Sequence, residues 1–344
     1  MQKAKRIFIV ADFKDERAWS IFMEERRMVK GLLRLGHDVQ RFSYRNTLMQ
    51  FSPLPGKRLA KHFAKRRTNE ALLRQVKHYY PDIVLVDCMD YVDSETVCAM
   101  RKAARNAVFI GRDGDPFPEK FPKRVATGSQ MDIVIMPSAG RFLKTYKDAA
   151  VPRCAFIPFT CDPDIQYKSE VQAKWKTDIT FLGTADHSRL ARDNDRYNII
   201  KRLSQTPNAK LYGCFGGSKT DGLDCFYAIC GAKIGLSINI ANDVYLYHSD
   251  RFINIPACGT FTLAKRVPGY ELLFEDGLHM RYFDTVDEFF ELADWYLKHD
   301  QERERIAKAG MEKAHKEFNC ESIAKHTLDL IETGTYDAPW RTIL

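Results

Sequence analysis

Tyr245-Leu-Tyr-His-Ser-Asp-Arg-Phe-Ile-Asn-Ile-Pro-Ala-Cys-Gly-Thr-Phe-Thr-Leu-Ala264, continued by Pro268-Gly-Tyr-Glu-Leu-Leu-Phe-Glu-Asp-Gly277, decides how the rest of the chain is read. The stretch reads as a polar loop, a short helix ended by Gly259, a buried strand and a second loop. Ser249 is expected to cap the helix Asp250 to Cys258, leaving nearby amides free for an anion such as a diphosphate. Arg251 falls in the first turn, where a cation opposes the helix dipole; either an anionic partner offsets that penalty or the arginine pairs with Asp250 or Glu275. Pro256 removes a backbone hydrogen bond at a cost of about 3 kcal/mol, so the helix is expected to be short or bent.

The same alternation extends to both sides. Upstream lie Asp178-Ile-Thr-Phe-Leu-Gly183, a helical stretch over Arg192 to Leu203, Ala209-Lys-Leu-Tyr-Gly213 and Ile234-Gly-Leu-Ser-Ile-Asn239. Downstream, Thr285 to Leu297 and Asp300 to Phe318 read as amphipathic helices with Thr285 and Asp300 as N-caps. The first half repeats the scheme with Arg6-Ile-Phe-Ile-Val-Ala11, Gly36-His-Asp-Val-Gln-Arg-Phe42, Pro81-Asp-Ile-Val-Leu-Val86, Asn106-Ala-Val-Phe-Ile-Gly111 and Met131-Asp-Ile-Val-Ile-Met136. Strands this continuously apolar are covered on both faces, which predicts parallel sheets with helices on either side. Three prolines between Pro152 and Pro163 mark a hinge. The predicted division is residues 1–160, 161–325 and a tail, 326–344, that packs back toward the N-terminal domain. The fold class is α/β: two Rossmann-like, doubly wound parallel-sheet domains facing a central cleft, since open sheets bind ligands beyond the carboxyl ends of their strands.

Composition narrows the function. A chain of 344 residues, 45% hydrophobic and 28% charged, is a soluble globular protein of about two domains. No apolar run is long enough to cross a bilayer, and Ile7-Phe-Ile-Val10 is too short for a signal-peptide core, so a cytoplasmic location is expected. Nine scattered cysteines without a Cys-x-x-Cys pair read as reduced and mostly buried. Walker, Gly-x-Gly-x-x-Gly, His-Glu-x-x-His and Gly-x-Ser-x-Gly patterns are all missing. The net charge of +8 is concentrated, because Lys57 to His78 holds eight Lys/Arg against the single acid Glu70. That run reads as one basic helix, either a solvated face or a surface for an anionic partner such as phospholipid at the inner membrane face or a nucleic-acid backbone.

Arg251-Phe-Ile-Asn-Ile-Pro-Ala-Cys-Gly259, Pro268 to Gly277 and Asp287-Glu-Phe-Phe290 resemble the donor-binding half of the CgeB-like glycosyltransferases. Asp178 to Gly183 with Arg189 behind it resembles the strand, glycine and arginine that open that half. Leu211-Tyr212-Gly213 resembles its tyrosine-glycine strand end, and Lys308-Ala-Gly310 the alanine-glycine of its late helix. The resemblance spans most of the second domain and implies a GT-B fold, with a nucleotide-diphosphate sugar such as a UDP-sugar as co-substrate and no further cofactor. It implies that Gly183, Arg189, Tyr212, Gly213, the loop Tyr247, His248, Ser249 and Arg251, and Gly259 with Thr260 surround the donor, with position 254 at its ribose. The chain departs there: Asn254 and Leu246 stand where related enzymes place glutamates, so retaining chemistry is not implied. The first domain is similar only through Leu35-Gly-His-Asp-Val39 and Pro81 to Leu85, and His37 reads as structural.

Catalytic candidates come from the residues themselves. The loop Gly111-Arg-Asp-Gly-Asp-Pro-Phe-Pro118 follows a strand, and Asp113 or Asp115 suits the base of an inverting transfer; a tight turn built by aspartates and glycine is the other reading. Asp12, after the first strand, is the third candidate, and it is placed with Arg66 and Arg67 on the acceptor side. Asp113-Gly-Asp115 looks like a metal motif, yet helix termini and cations normally offset a diphosphate in such a fold, and no metal is expected. The expected activity is hexosyl transfer from a nucleotide-diphosphate sugar to a lipid, cell-surface polymer or modified DNA base. The alternative is a nucleotide-sugar-binding or nucleic-acid-binding protein without turnover.

Overall fold

The computed structural model describes residues 3–13, 24–54, 56–184 and 194–344, which divide into two compact units, Met1–Ile157 with Ile323–Leu344, and Pro158–Ser322. Among the described residues the first unit is built on β1 (Arg6–Ala11), β2 (Asp38–Ser43), β3 (Ile83–Val86), β4 (Val108–Arg112), β5 (Ile133–Met136) and β6 (Arg153–Phe156). They form one parallel sheet in the order β2-β1-β3-β4-β5-β6. The central strands β3, Ile-Val-Leu-Val, and β5, Ile-Val-Ile-Met, are buried at every position, as strands covered on both faces must be. The edge strand β2 exposes Asp38, Gln40 and Arg41.

Helices α1 (Glu24–Arg34), α2 (Tyr44–Phe51), α3 (Lys57–Phe63), α4 (Lys65–Tyr79), α5 (Ser94–Ala103), α6 (Pro122–Gly128) and α7 (Gly140–Asp148) complete the N-terminal part. Asp93 caps α5 by accepting from the Thr96 amide at 2.9 Å, a local signal worth about 1 kcal/mol. The basic run expected as one helix is two, because the chain breaks at Ala64 (φ −106, ψ −10) between α3 and α4. His37 accepts from the Lys5 amide through Nδ1 at 3.1 Å, a structural bond.

The second unit carries β7 (Thr177–Leu182), β8 (Ala209–Tyr212), β9 (Ala232–Ser237), β10 (Phe261–Lys265) and β11 (Arg281–Phe283), all parallel, in the order β11-β10-β9-β7-β8. Its helices are α8 (Asn194–Leu203), α9 (Asp224–Cys230), α10 (Arg251–Ala257), α11 (Val286–Lys298) and α12 (Asp300–Glu317). Thr285 caps α11 through the Glu288 amide, whereas α12 starts one residue earlier than expected, with His299 rather than Asp300 at the cap. The opening stretch forms the short helix α10 with Pro256 in its last turn. That helix lies close on the sheet because Gly235 has no side chain: a Cβ there would sit 2.4 Å from Ile255 Cγ2. At Gly310 of α12 a Cβ would meet the His279 carbonyl oxygen at 2.3 Å.

The last helix, α13 (Cys320–Thr333), begins in the second unit and continues from Ile323 in the first. There the tail closes the β6 edge, with Cys154 and Leu344 exchanging backbone bonds of 3.1 and 2.8 Å and the Phe156 amide donating to Thr342 at 2.9 Å. Buried Trp340 meets Phe156 edge-on at 5.6 Å, so the sheet edge is covered and not left to template another chain. No helix among the described residues is long and apolar enough to cross a membrane.

Candidate functional site

Each sheet changes winding direction once, and in open α/β sheets that switch point, beyond the carboxyl ends of the two strands, is where ligands bind. In the second unit it lies between β7 and β9. Arg251, in the first turn of α10, reaches across it: Nη1 donates to the Leu182 carbonyl at 3.2 Å and Nη2 to Ile238 at 3.3 Å. Arg196 of α8 joins it, donating to the Ile238 carbonyl and, at 2.6 Å, to Thr184. The two guanidinium groups lie 5.3 and 5.1 Å from the centre of the Phe181 ring. Among the described residues neither Asp250 nor Glu275 pairs with Arg251, and its buried Nε has no hydrogen-bond partner. A cation held by carbonyls and an aromatic face keeps its full charge for a ligand.

Gly183 sits beside this pair at φ 149, where side chains are strained, and a Cβ would approach Arg251 Nη1 to 3.0 Å. Its amide donates to the Tyr212 carbonyl at 2.9 Å, and Gly213 (φ 84) lies against the Gly183 carbonyl. The Tyr212 ring packs toward Trp175 at 6.3 Å, so this residue contributes backbone. Ser249 does not cap the helix: Asp250 occupies the cap position and makes no side-chain bond there. The Ser249 amide instead donates to Asn239 Oδ1 at 3.0 Å, and its buried hydroxyl has no hydrogen-bond partner among the described residues.

Other residues expected at the donor have different surroundings. His248 is fully buried, with Nδ1 donating to the Leu246 carbonyl at 3.0 Å and Nε2 accepting from the Phe159 amide at 3.3 Å; burial pushes the imidazole down to about 4, so it is a neutral strut of the loop. Tyr247 is buried and supplies its carbonyl to Asn239 Nδ2 at 3.0 Å and the Tyr270 hydroxyl at 2.8 Å. Asn254 is buried one turn into α10, its Oδ1 taken by Gln166 Nε2 at 2.8 Å. Gly259 and Thr260 lie at the opposite end of the strands. They precede β10, where α10 has carried the chain back to the strands' amino ends, and Thr260 Oγ1 donates to Ile229 at 2.8 Å. Gly259 there lines a groove of about 1020 Å³ with Lys168, Thr177 and Ala232. Arg189 lies outside the described residues.

In the first unit the switch point falls between β1 and β3. Asp12 follows β1, Asp87 follows β3 and Asp113 follows β4, and they line a small pocket of about 100 Å³ with Asp90, Arg112 and Arg124. Asp113 is committed on both oxygens: Oδ1 accepts from Arg124 Nη1 at 3.1 Å and from the Asp115 amide at 3.1 Å, and Oδ2 accepts from the Tyr146 hydroxyl at 2.6 Å. Burial pushes its carboxyl up to about 6 despite the Arg124 charge. The tight-turn reading thus describes Asp113. Asp115, with its side chain 70% exposed, accepts from Arg124 Nη2 at 3.3 Å. Arg124 also grips Asp90 through two bonds of 3.0 and 2.9 Å. Asp12 differs from these: Oδ2 is 3.5 Å from Arg45 Nη1, and Oδ1 is buried with no hydrogen-bond partner among the described residues.

Asp87, Asp90, Arg112, Arg124 and Arg196 were missed in the sequence. A signal existed for the first: Val86-Asp87 repeats the pattern of Ala11-Asp12 and Arg112-Asp113, a carboxylate directly past an apolar strand. The pocket adjoins a cleft of about 630 Å³ that shares Met89, Asp90 and Tyr91 and is floored by Tyr44 and Leu48. Arg66 and Arg67 line neither. Arg66 pairs with Glu70 at 3.0 Å and the Arg67 guanidinium covers Phe51 at 4.4 Å. Among the described residues no group of three or more His, Cys, Asp or Glu side chains is arranged to hold a metal ion.

This pair of doubly wound sheets is the GT-B fold. Residues 192–329 match the glycosyl transferase-like family model. Among solved structures the chain is similar to HepE (Alr3699) of Anabaena in complex with UDP-glucose, at 13% identity over 96% of this chain and 100% of that one, with a TM-score of 0.63. It is also similar to a sucrose-phosphate synthase of Thermosynechococcus elongatus, at 13% identity over 96% and 98%, with a TM-score of 0.68. A glycosyltransferase of Rickettsia africae aligns at 13% identity over 96% and 99%, with a TM-score of 0.59. Likeness at this identity establishes the fold, which by itself does not fix a reaction. No curated protein matches the chain.

Proposed function

We propose that the protein is a glycosyltransferase that takes a nucleotide-diphosphate sugar at the switch point of its second unit. One observation carries the reading: Arg251 and Arg196 lie over Phe181 at the ends of β7 and β9, and beside them the Arg251 Nε and the Ser249 hydroxyl have no hydrogen-bond partner among the described residues. Buried polar atoms without partners call for a missing ligand, and two guanidinium groups with a hydroxyl suit a diphosphate. The match of residues 192–329 to the glycosyl transferase-like family, which includes both arginines, and the UDP-glucose held by the Anabaena neighbour point the same way. Gly183 keeps the approach open, and cations beside the leaving diphosphate would stabilise the charge that develops on it.

In an inverting transfer, Asp12 is the group we assign to accept the proton of the acceptor hydroxyl. Among the described residues its buried Oδ1 has no hydrogen-bond partner, whereas Asp113 positions Arg124. The adjoining cleft floored by Tyr44 and Leu48 is where we place the acceptor. A second reading, binding without turnover, is favoured by Asn254, a neutral residue whose oxygen is already bonded to Gln166.

Titration calorimetry with UDP and product assays over a panel of nucleotide sugars separate the two. UDP binding with release or transfer of one sugar is expected. Binding with no turnover from any donor leaves the binding-only reading, and failure to bind any nucleoside diphosphate removes both.

A further inference from the structure

Helix α3 turns its larger apolar side chains outward. A helix lying on a soluble protein normally buries them. Here Ala60, and Ala64 just past the end, face inward onto Leu48 with Phe51 beside them, while Leu59 is 43% and Phe63 53% exposed. Those two residues are four apart and stand over one another on the outer face. Leu54, just upstream, is also exposed. Around them the chain is strongly basic: residues 57–78 carry eight Lys/Arg against one Glu, and Arg66 and Arg67 are exposed.

This combination selects among partners. A nucleic-acid backbone would meet the cations but leave leucine and phenylalanine in water. A second copy of the chain would bring two basic segments against each other. An anionic bilayer takes both, with apolar side chains at the acyl boundary and cations among the head groups. We propose that α3 docks the protein on an anionic lipid surface through Leu59 and Phe63, steered by the adjoining basic run. Leu59 and Phe63 line neither the first unit's pocket nor the adjoining cleft, although Lys61 and His62 of the same helix line that cleft, so substitutions confined to Leu59 and Phe63 test the docking apart from the transferase reading.

Co-sedimentation of the full chain with vesicles tests it. The protein is expected to pellet with phosphatidylcholine–phosphatidylglycerol vesicles at low salt, to stay in solution with phosphatidylcholine alone, and to be released by salt. The double substitution Leu59→Ser with Phe63→Ser is expected to lower the bound fraction about tenfold. Its thermal unfolding and UDP affinity should be unchanged, because both side chains already face solvent. Absence of pelleting with anionic vesicles overturns the proposal, as does pelleting that the serine pair leaves intact. Duplex DNA that binds both forms equally while vesicles bind neither assigns the basic run to nucleic acid instead.

Discussion

At the scale of single residues, the two switch points differ in charge: Arg251 and Arg196 mark the second, and carboxylates held by Arg112 and Arg124 crowd the first. Arg251 contacts only carbonyls and the Phe181 face in the described structure, so removing it takes charge from a ligand without orphaning a carboxylate. Arg251→Ala is expected to weaken UDP about 10- to 100-fold in calorimetry, the equivalent of about 1.5–3 kcal/mol for charged hydrogen bonds, with little change in unfolding. Asp12→Asn is expected to lower kcat by about 10²- to 10⁴-fold and leave UDP affinity alone; an active Asp12→Asn enzyme would move the base elsewhere. Burial, aided by the nearby Asp87, pushes Glu25 up to about 8, and burial pushes Asp87 and Asp113 up to about 6. The folded protein therefore holds protons that the unfolded chain, with carboxyls near pH 4, releases. Stability from these groups is present at the acid end of that window and is lost as pH rises toward about 8. Glu25→Gln should flatten denaturant-measured stability between about pH 6 and 8 and make the variant the more stable protein at pH 8.

Elements set the distances on which those residues depend. Helix α10 sits close on the sheet because Gly235 lies beneath it, a position where a Cβ would overfill the contact with Ile255. At Gly310 the obstacle is the backbone oxygen of His279, which cannot rotate away. Gly310→Ala is expected to destabilise the second unit by about 1–3 kcal/mol, read as a lowered denaturant midpoint, although alanine is the better helix former. The sequence made the existence and type of most elements legible, because consecutive apolar runs such as Ile83 to Val86 and Ile133 to Met136 have few other uses. It missed the break at Ala64 and misplaced the cap at Ser249. Both were decided by how neighbouring segments pack: Ala64 beds against Leu48, and Asn239 captures the Ser249 amide.

At the scale of the whole molecule, the first unit is completed by chain from the far C-terminus. Trp340, Tyr336 and the backbone of residues 342–344 cover β6, with the Tyr336 hydroxyl on the Phe156 carbonyl at 2.5 Å. Trp340→Ala is expected to cost about 3–5 kcal/mol, seen as earlier unfolding of the first unit, with UDP binding by the second unit retained below that transition.

The sequence by itself determined two parallel, doubly wound sheets, since runs of apolar residues at strand length and helical periodicity between them are local properties. It also picked out Gly183, Asp12 and Asp113 as residues at strand ends and Arg251 in the first turn of a helix. Only the tertiary structure ranked them. Strand order brings β7 beside β9 and β1 beside β3, and so pairs Arg251 with Arg196 and spends Asp113 on Arg124 and Tyr146 while one oxygen of Asp12 has no partner among the described residues; the crossing of α10 puts Gly259 and Thr260 at the strands' amino ends. Those assignments depend on contacts between residues tens of positions apart, and no local pattern encodes which partner a carboxylate will find.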